Sequence, residues 1–292
     1  MATASALDDD AVTHAVRRRP AWRRHPTVTA GLIILGLVCA MAIAAPWLAS
    51  IDPTALSTAK RLRPPSPEFW FGTDMMGRDV WSRTLYGARV SVITGLTVAA
   101  LATGIGLLLG LLAGFDRTID AVMMRIMDGL MAIPAILLAI ALMALTRASL
   151  GNVIIAIVVA EVPRVVRLAR GIVLTLREAT FVEAATASGT GFFGLLFRHI
   201  LPNAVAPLVV QSTYIAASAM ITEAILSFIG AGVPSSTPSW GNMMAEGRTV
   251  FQVAPQLVLF PGLCLSVTVL AINMLGDGLR DMLDPRLARR MK

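Results

Sequence analysis

Six apolar runs divide this chain, and their lengths leave few folds open to it. They cover residues 27–51, 90–113, 122–146, 153–166, 204–229 and 257–275. A helix crosses the hydrocarbon of a bilayer with about 20 apolar residues, and all but the fourth run come close to or exceed that length. Composition agrees. Only 15% of the 292 residues are charged and 56% are hydrophobic, whereas a soluble domain carries about 25% charged residues. The expected fold is an all-α integral membrane protein with six transmembrane helices.

Charge orients the spans. The formal net charge of +7 is arginine charge, since Lys60 and Lys292 are the only lysines. Arginines gather before the first run (Arg17, Arg18, Arg19, Arg23, Arg24), around Arg167, Arg170 and Arg177, and after the last run (Arg280, Arg286, Arg289, Arg290). Basic loops stay on the cytoplasmic side. Both termini and the 171–203 connection are therefore expected inside, and residues 52–88 and 235–255 outside. Arg164, Arg167 and Arg170, at the inner end of the fourth run, are expected to snorkel to the headgroups. No interleaving of basic and aromatic residues points to nucleic acid.

The segments follow in order. Residues 1–27 form a polar tail, and 28–51 an uncleaved anchor. Ala42-Ile43-Ala44 resembles a cleavage site, but a signal-peptide core runs only about 7–15 residues. Residues 52–88 form an external loop, kept irregular at its start by Pro53, Pro64, Pro65 and Pro67. Its end reads as an amphipathic helix on the membrane surface, with Trp81, Leu85 and Ala88 on one face and Asp79 paired to Arg83 at i, i+4. Residues 89–278 form the core and 279–292 a cytoplasmic tail. Gly106, Gly110 and Gly114 make a small-residue stripe, extended by Thr103 and Ala99, that lets helices approach closely, within the subunit or between subunits. Cys39 and Cys264 lie in apolar runs and read as packing residues. His14, His25 and His199 lie outside the runs, so no metal site is expected.

Three acids stand in or beside the runs: Asp128, Glu161 and Glu223. A carboxylate there is costly unless paired, hydrated or protonated. Each is a candidate for the transport pathway or for packing.

The 171–203 connection is polar and semi-polar. Phe181-Val182-Glu183-Ala184-Ala185-Thr186-Ala187-Ser188-Gly189 reads as a short helix with a nearly side-chain-free surface and a glycine break. A second amphipathic piece follows, and Leu201-Pro202 starts the next membrane helix, where the missing N–H of proline suits the first turn.

Glu183-Ala184-Ala185, Gly189 and Leu201-Pro202 resemble the coupling-loop signature of permease subunits of ABC importers. His199-Ile200-Leu201-Pro202-Asn203 is similar to the dipeptide/oligopeptide/nickel branch, although His199 stands where the wider family often has an aliphatic residue. Phe71-Gly72-Thr73-Asp74 with Gly77-Arg78-Asp79 and Gly87-Ala88-Arg89, Arg125-Ile126-Met127-Asp128 with Ile133-Pro134, and Gly276-Asp277-Gly278-Leu279-Arg280-Asp281 with Asp284-Pro285-Arg286 resemble the same branch. They fit the second of its paired permeases. Glu161 departs from it, since an apolar or aromatic residue is expected there.

The resemblance implies a type I ABC importer permease fold and a pathway shared with a homologous second permease. It implies two ATPase subunits on the inside, which hold ATP and Mg, and an extracytoplasmic substrate-binding protein. The coupling helix would seat in a groove on the ATPase through Glu183, Ala184, Ala185, Gly189, Leu201 and Pro202. Di- or oligopeptides are the implied cargo, with nickel, glutathione and peptide antibiotics carried by related systems. The chain has no P-loop lysine, since Lys60 and Lys292 lack that context, so it is not expected to be an enzyme. An intramembrane aspartyl protease would need a second membrane aspartate and a Gly-x-Gly-Asp element, and Met274 stands where the first glycine should be in Met274-Leu275-Gly276-Asp277. A secondary transporter using Glu161 and Glu223 is the main rival, and it would not need the coupling loop.

Overall fold

The structure, a computed structural model, describes residues 26–283. The tails expected at 1–27 and 279–292 lie mostly outside the described residues. Where they overlap, the chain is already helical. α1 spans Pro26–Leu48, α2 Val80–Phe115, α3 Arg117–Met131, α4 Ala135–Ala144, α5 Leu150–Arg177 and α6 Thr180–Ala187. α7 is continuous over Phe192–Phe228, α8 covers Trp240–Gly247 and α9 Gln256–Leu283. Among the described residues the one β feature is an isolated bridge between Thr73 and Asp79.

Four helices, α1, α2, α7 and α9, are long and apolar enough to cross a membrane, and the bent pair α3–α4 makes five if taken as one span. α5 is 28 residues long, but Glu161, Arg164, Arg167 and Arg170 interrupt its apolar character. Leucines and isoleucines such as Leu32, Leu37, Leu108, Leu259, Leu263 and Leu270 stand exposed around the bundle, as a lipid-facing surface requires.

Three expectations are corrected. The 122–146 run is not one helix: α3 and α4 meet at 86°. Pro134 is the cause. It biases Ile133 away from the α region, takes an extended ψ of 130° itself, and opens α4. The surface helix near residue 80 is also not separate, because residues 80–88 are the first turns of the 36-residue α2. They are mostly buried, Leu85 and Ala88 included. Finally, Pro202 stands in the first turn of the α-helical stretch Leu201–Phe228, but that stretch does not begin a separate helix. α7 is already helical from Phe192, and the six residues Leu195–Ile200 just before the proline are wound as a π-helix. Proline clashes with the carbonyl four residues back, here that of Arg198, and a wider turn at that point relieves the clash.

The glycine stripe is an internal seam. A Cβ on Gly106 would sit 2.4 Å from the Val165 Cβ, one on Gly110 2.5 Å from the Ala169 Cβ, and one on Gly114 2.5 Å from a Val173 methyl. Because α2 and α5 interlock without side chains on the α2 side, the reading of the stripe as a dimerisation face is not needed. Gly110→Leu is expected to force the two helices apart, at about 1–3 kcal/mol or more. Gly104, which has nothing within 4 Å of its Cβ, is the control. A thermal-unfolding midpoint in detergent that falls for Gly110→Leu and not for Gly104→Leu checks this.

At the α8 end of the bundle, the loop before α2 folds back on itself. Gly77 has φ +76°, and a Cβ there would meet the Ser57 carbonyl oxygen at 1.9 Å. The Thr73 N–H donates to the Arg63 carbonyl at 3.0 Å, and its hydroxyl accepts the Arg63 N–H at 2.8 Å. Asp79 does not pair with Arg83. It caps α2, accepting the Ser82 N–H at 3.0 Å. Arg83 pairs instead with Asp74 and with Glu246 of α8 (2.7 Å). Arg78 bridges the same two acids at 2.6 Å each. Trp240, fully buried, donates its indole N–H to the Thr84 carbonyl at 3.0 Å. Its ring fills the space that a Cβ on Gly87 would need, 2.7 Å away.

Candidate functional site

The 171–203 connection, the candidate coupling segment, lies at the opposite end of the bundle. α5 ends at Arg177, and two residues later α6 begins. Ala179 is the N-cap of α6 and provides no side-chain cap. Glu183 lies in the first turn, where its charge suits the helix dipole, but among the described residues its side chain makes no hydrogen bond or ion pair. The helix ends in a Schellman motif. The Gly189 N–H donates to the Thr186 carbonyl and the Thr190 N–H to the Ala185 carbonyl, both at 3.0 Å. Gly189 has φ +84°, a conformation that glycine takes without steric cost. With nothing within 4 Å of a Cβ placed there, only the backbone conformation demands glycine at this position.

One face of α6 turns inward through buried Val182. Glu183, Ala184, Ala187, Ser188 and Gly189 are exposed, and Ala185 is half-buried. The result is a short ridge with almost no side-chain height. Beneath it an open cavity of about 700 Å³ is lined by residues including Phe115, Arg177, Thr186, Phe192 and Leu195. Phe192, Phe193 and Phe197 project from the start of α7. Leu201 is half-buried and Pro202 exposed, about two turns along α7, so they shape the return of the chain rather than the ridge itself.

The ridge is tied to the bundle by a ladder along α5 that sequence reasoning did not reach. Arg177 donates to the Gly114 carbonyl at 2.7 Å and lies over the Phe115 ring, 5.4 Å from its centroid. Arg170 grips Asp120 of α3 through two nitrogens, one of them at 2.6 Å, and Arg167 meets Asp128 at 2.6 Å. Asp128 is thus a half-exposed partner of α5. All three arginines stand on α5, so the ladder joins that helix both to the end of α2 and to the bent helix pair.

The two buried acids occupy different places. Glu223 is fully buried in α7 and accepts the Ser227 hydroxyl at 2.8 Å, leaving Oε2 without a partner. The same Ser227 oxygen faces the loop that returns to α8, where the Val233 N–H reaches it at 3.4 Å. We propose from this geometry that Glu223 is a packing acid, the pathway role being the alternative that the following variants test. Glu223→Gln is expected to keep both fold and transport, because an amide oxygen accepts the same hydrogen bond. Glu223→Leu should lower the thermal midpoint. Loss of uptake in the glutamine variant, with its midpoint unchanged, would show that the charge itself is used. Glu161 is buried in α5, between Arg164 (3.1 Å) and Ser218 of α7 (2.9 Å). Nothing in the spacing of the sequence joins Glu161 to Ser218.

Comparison with known proteins comes from two directions. Residues 106–289 match the family described as binding-protein-dependent transport system inner membrane component. Residues 17–65 match the N-terminal transmembrane domain of oligopeptide transport permease C. A probable peptide ABC transporter permease, y4tQ of Sinorhizobium fredii, is 54% identical over 278 residues, covering 95% of this chain and 94% of the relative. The dipeptide transport system permease DppC of Alkalihalophilus pseudofirmus is 43% identical, with 91% and 88% covered. The glutathione transport system permease GsiD of Pectobacterium atrosepticum is 42% identical, with 92% and 91% covered.

Proposed function

The chain belongs to the family of binding-protein-dependent transport system inner membrane components, and from that premise we propose that it is the permease subunit of an ATP-driven importer of di- or oligopeptides. It is a multi-pass inner-membrane protein that works in a complex and is not itself an enzyme. The observation that carries the mechanism is the exposed, low-profile α6 ridge with its glycine-closed end. A groove on an ATPase subunit admits such a ridge because Ala184 and Ala187 add almost no bulk.

The fold consists of six spans in the type I importer arrangement: α1, α2, the bent α3–α4, α5, α7 and α9. A homologous second permease completes the pathway, two ATPase subunits bind at the α6 end with ATP and Mg, and a substrate-binding protein docks at the α8 end. ATP binding closes the ATPase pair, and α6 moves with it. The α5 ladder then carries that movement to α2 and α3, and the pathway opens outward to receive peptide.

The experiment that tests this reading is uptake of a labelled dipeptide by cells lacking the chain and by cells with it restored, alongside recovery of an ATPase with the tagged protein. Uptake that is independent of the chain would overturn it. The orientation has its own test. In a protein with Cys39 and Cys264 replaced by alanine, an impermeant thiol reagent should label intact cells at Ser236→Cys and not at Ser188→Cys. The reverse pattern would invert the topology.

A further inference from the structure

Arg164 stands where a lone charge is hardest to keep. It lies fourteen residues after Leu150 and thirteen before Arg177, midway along α5. At roughly 1.5 Å per residue that is roughly 20 Å from either end of the helix, within the span that the six-span reading above gives to α5. It does not snorkel outward as the sequence suggested. Its Nη1 donates to Glu161 Oε2 at 3.1 Å, one turn toward the α5 N-terminus and away from the α6 end. Yet 54% of its side chain is exposed in the isolated chain. A guanidinium in this position does not face lipid. It faces a bundle interior or a water-filled cavity.

The surroundings decide which. Glu161 also accepts the Ser218 hydroxyl, so the pair sits over the groove between α5 and α7. One turn further along α5, Leu168 opens an apolar cleft of about 460 Å³. On α7, Tyr214 and Gln211, spaced four and seven residues from Ser218 and so on the same face, line that cleft as well, and Arg280 of α9 stands at its side. A polar cluster with a half-free guanidinium therefore lies next to an open, mostly apolar groove that runs toward the α6 end. Among the described residues only Nη1 is engaged, which leaves Nε and Nη2 to present a planar fork that matches a carboxylate.

We propose that Arg164, oriented by Glu161, receives the terminal carboxylate of the peptide during its passage. This rests on the peptide-importer reading above. Glu161 is a positioning residue: it turns the fork toward the groove and balances its charge while the site is empty. Apolar peptide side chains lie along the cleft below.

The test uses the complete importer reconstituted with its partner subunits, carrying either Arg164→Gln or Arg164→Lys. Transport of a dipeptide and of its C-terminal amide is compared, each at a concentration that saturates the binding protein. The unmodified importer should move the free acid faster. Arg164→Gln should slow the free acid at least tenfold while changing the amide little, and Arg164→Lys, which keeps the charge but not the fork, should recover only part of the difference. Equal slowing of both peptides overturns the site. So does loss of the second permease from the purified Arg164→Gln complex, which would make Arg164 an interface residue. An unmodified complex that moves neither peptide overturns the importer reading, and the site with it.

A second measurement needs no turnover. In a complex free of other reactive cysteines, Arg164→Cys should react with a water-soluble thiol reagent and be protected by peptide. An unreactive thiol would place the position against lipid or protein and overturn the site.

Discussion

Asp74→Ala is expected to be the most destabilising single change at the α8 end of the bundle. Asp74 is buried and holds two arginines at once. Its Oδ2 pairs with Arg78 at 2.6 Å and with Arg83, and its Oδ1 accepts the Met76 and Arg78 backbone N–H groups at 2.8 and 2.9 Å. With Glu246 the cluster sums to zero charge. Removing Asp74 leaves two guanidinium groups sharing one acid, and breaking a buried pair in this way costs about 3–5 kcal/mol. Glu246 is more exposed, at 23% of its side chain, and its loss should cost less because water reaches the site. The expected order of thermal midpoints in detergent is therefore native, then Glu246→Gln, then Asp74→Ala. Equal midpoints for the two variants would mean that the cluster does not hold the loop. Asp74→Asn separates the contributions, since it keeps an acceptor for the two N–H groups and removes the charge together with the oxygen that accepts from Arg78 and Arg83.

That cluster also shows where the sequence stops being legible. The residues were visible, and Phe71-Gly72-Thr73-Asp74 with Gly77-Arg78-Asp79 carried the family resemblance. The pairing was not. The i, i+4 rule offered Arg83 the nearer Asp79, but Asp79 is taken up in capping α2, and the second acid, Glu246, lies 163 residues away. Local spacing predicts what neighbours on one helix do, whereas a buried charge takes the partner that the tertiary fold brings to it. The apolar runs were legible because lipid imposes a length on each span. Their breaks were less so: Pro134 bends a span by 86°, and Pro202 is absorbed by a π-helical stretch. The acid at Glu161 looked like a departure from the family pattern, and only the structure joins it to Ser218 and Arg164. In the 171–203 connection the short helix and its glycine break were legible, since the small alanines and the positive φ of Gly189 can be read from residue type alone.

The coupling loop carries the largest expected effect on transport. Two substitutions test it through different physics. Ala184 is exposed in the isolated chain, and an exposed substitution away from special features costs under about 0.5 kcal/mol. Ala184→Glu should therefore insert and fold normally and assemble with the second permease. On the proposed docking ridge, however, it places bulk and negative charge where the surface would enter a groove. ATPase affinity is expected to fall at least tenfold, about 1.4 kcal/mol, and peptide uptake to be lost. Gly189→Val acts on the backbone instead. A valine at φ +84° is strained, and the two Schellman hydrogen bonds that end α6 would be broken to relieve it. The ridge would then leave the chain at the wrong angle, and uptake should again be lost. Gly189→Asn is the discriminating control, because asparagine enters the left-handed region more readily than other side chains and there is open space around the position. Uptake should survive in Gly189→Asn and fail in Gly189→Val. Recovery of the ATPase with each tagged variant, measured beside uptake, decides the matter. Normal transport in both Ala184→Glu and Gly189→Val would reduce α6 to a plain connector and remove the coupling assignment.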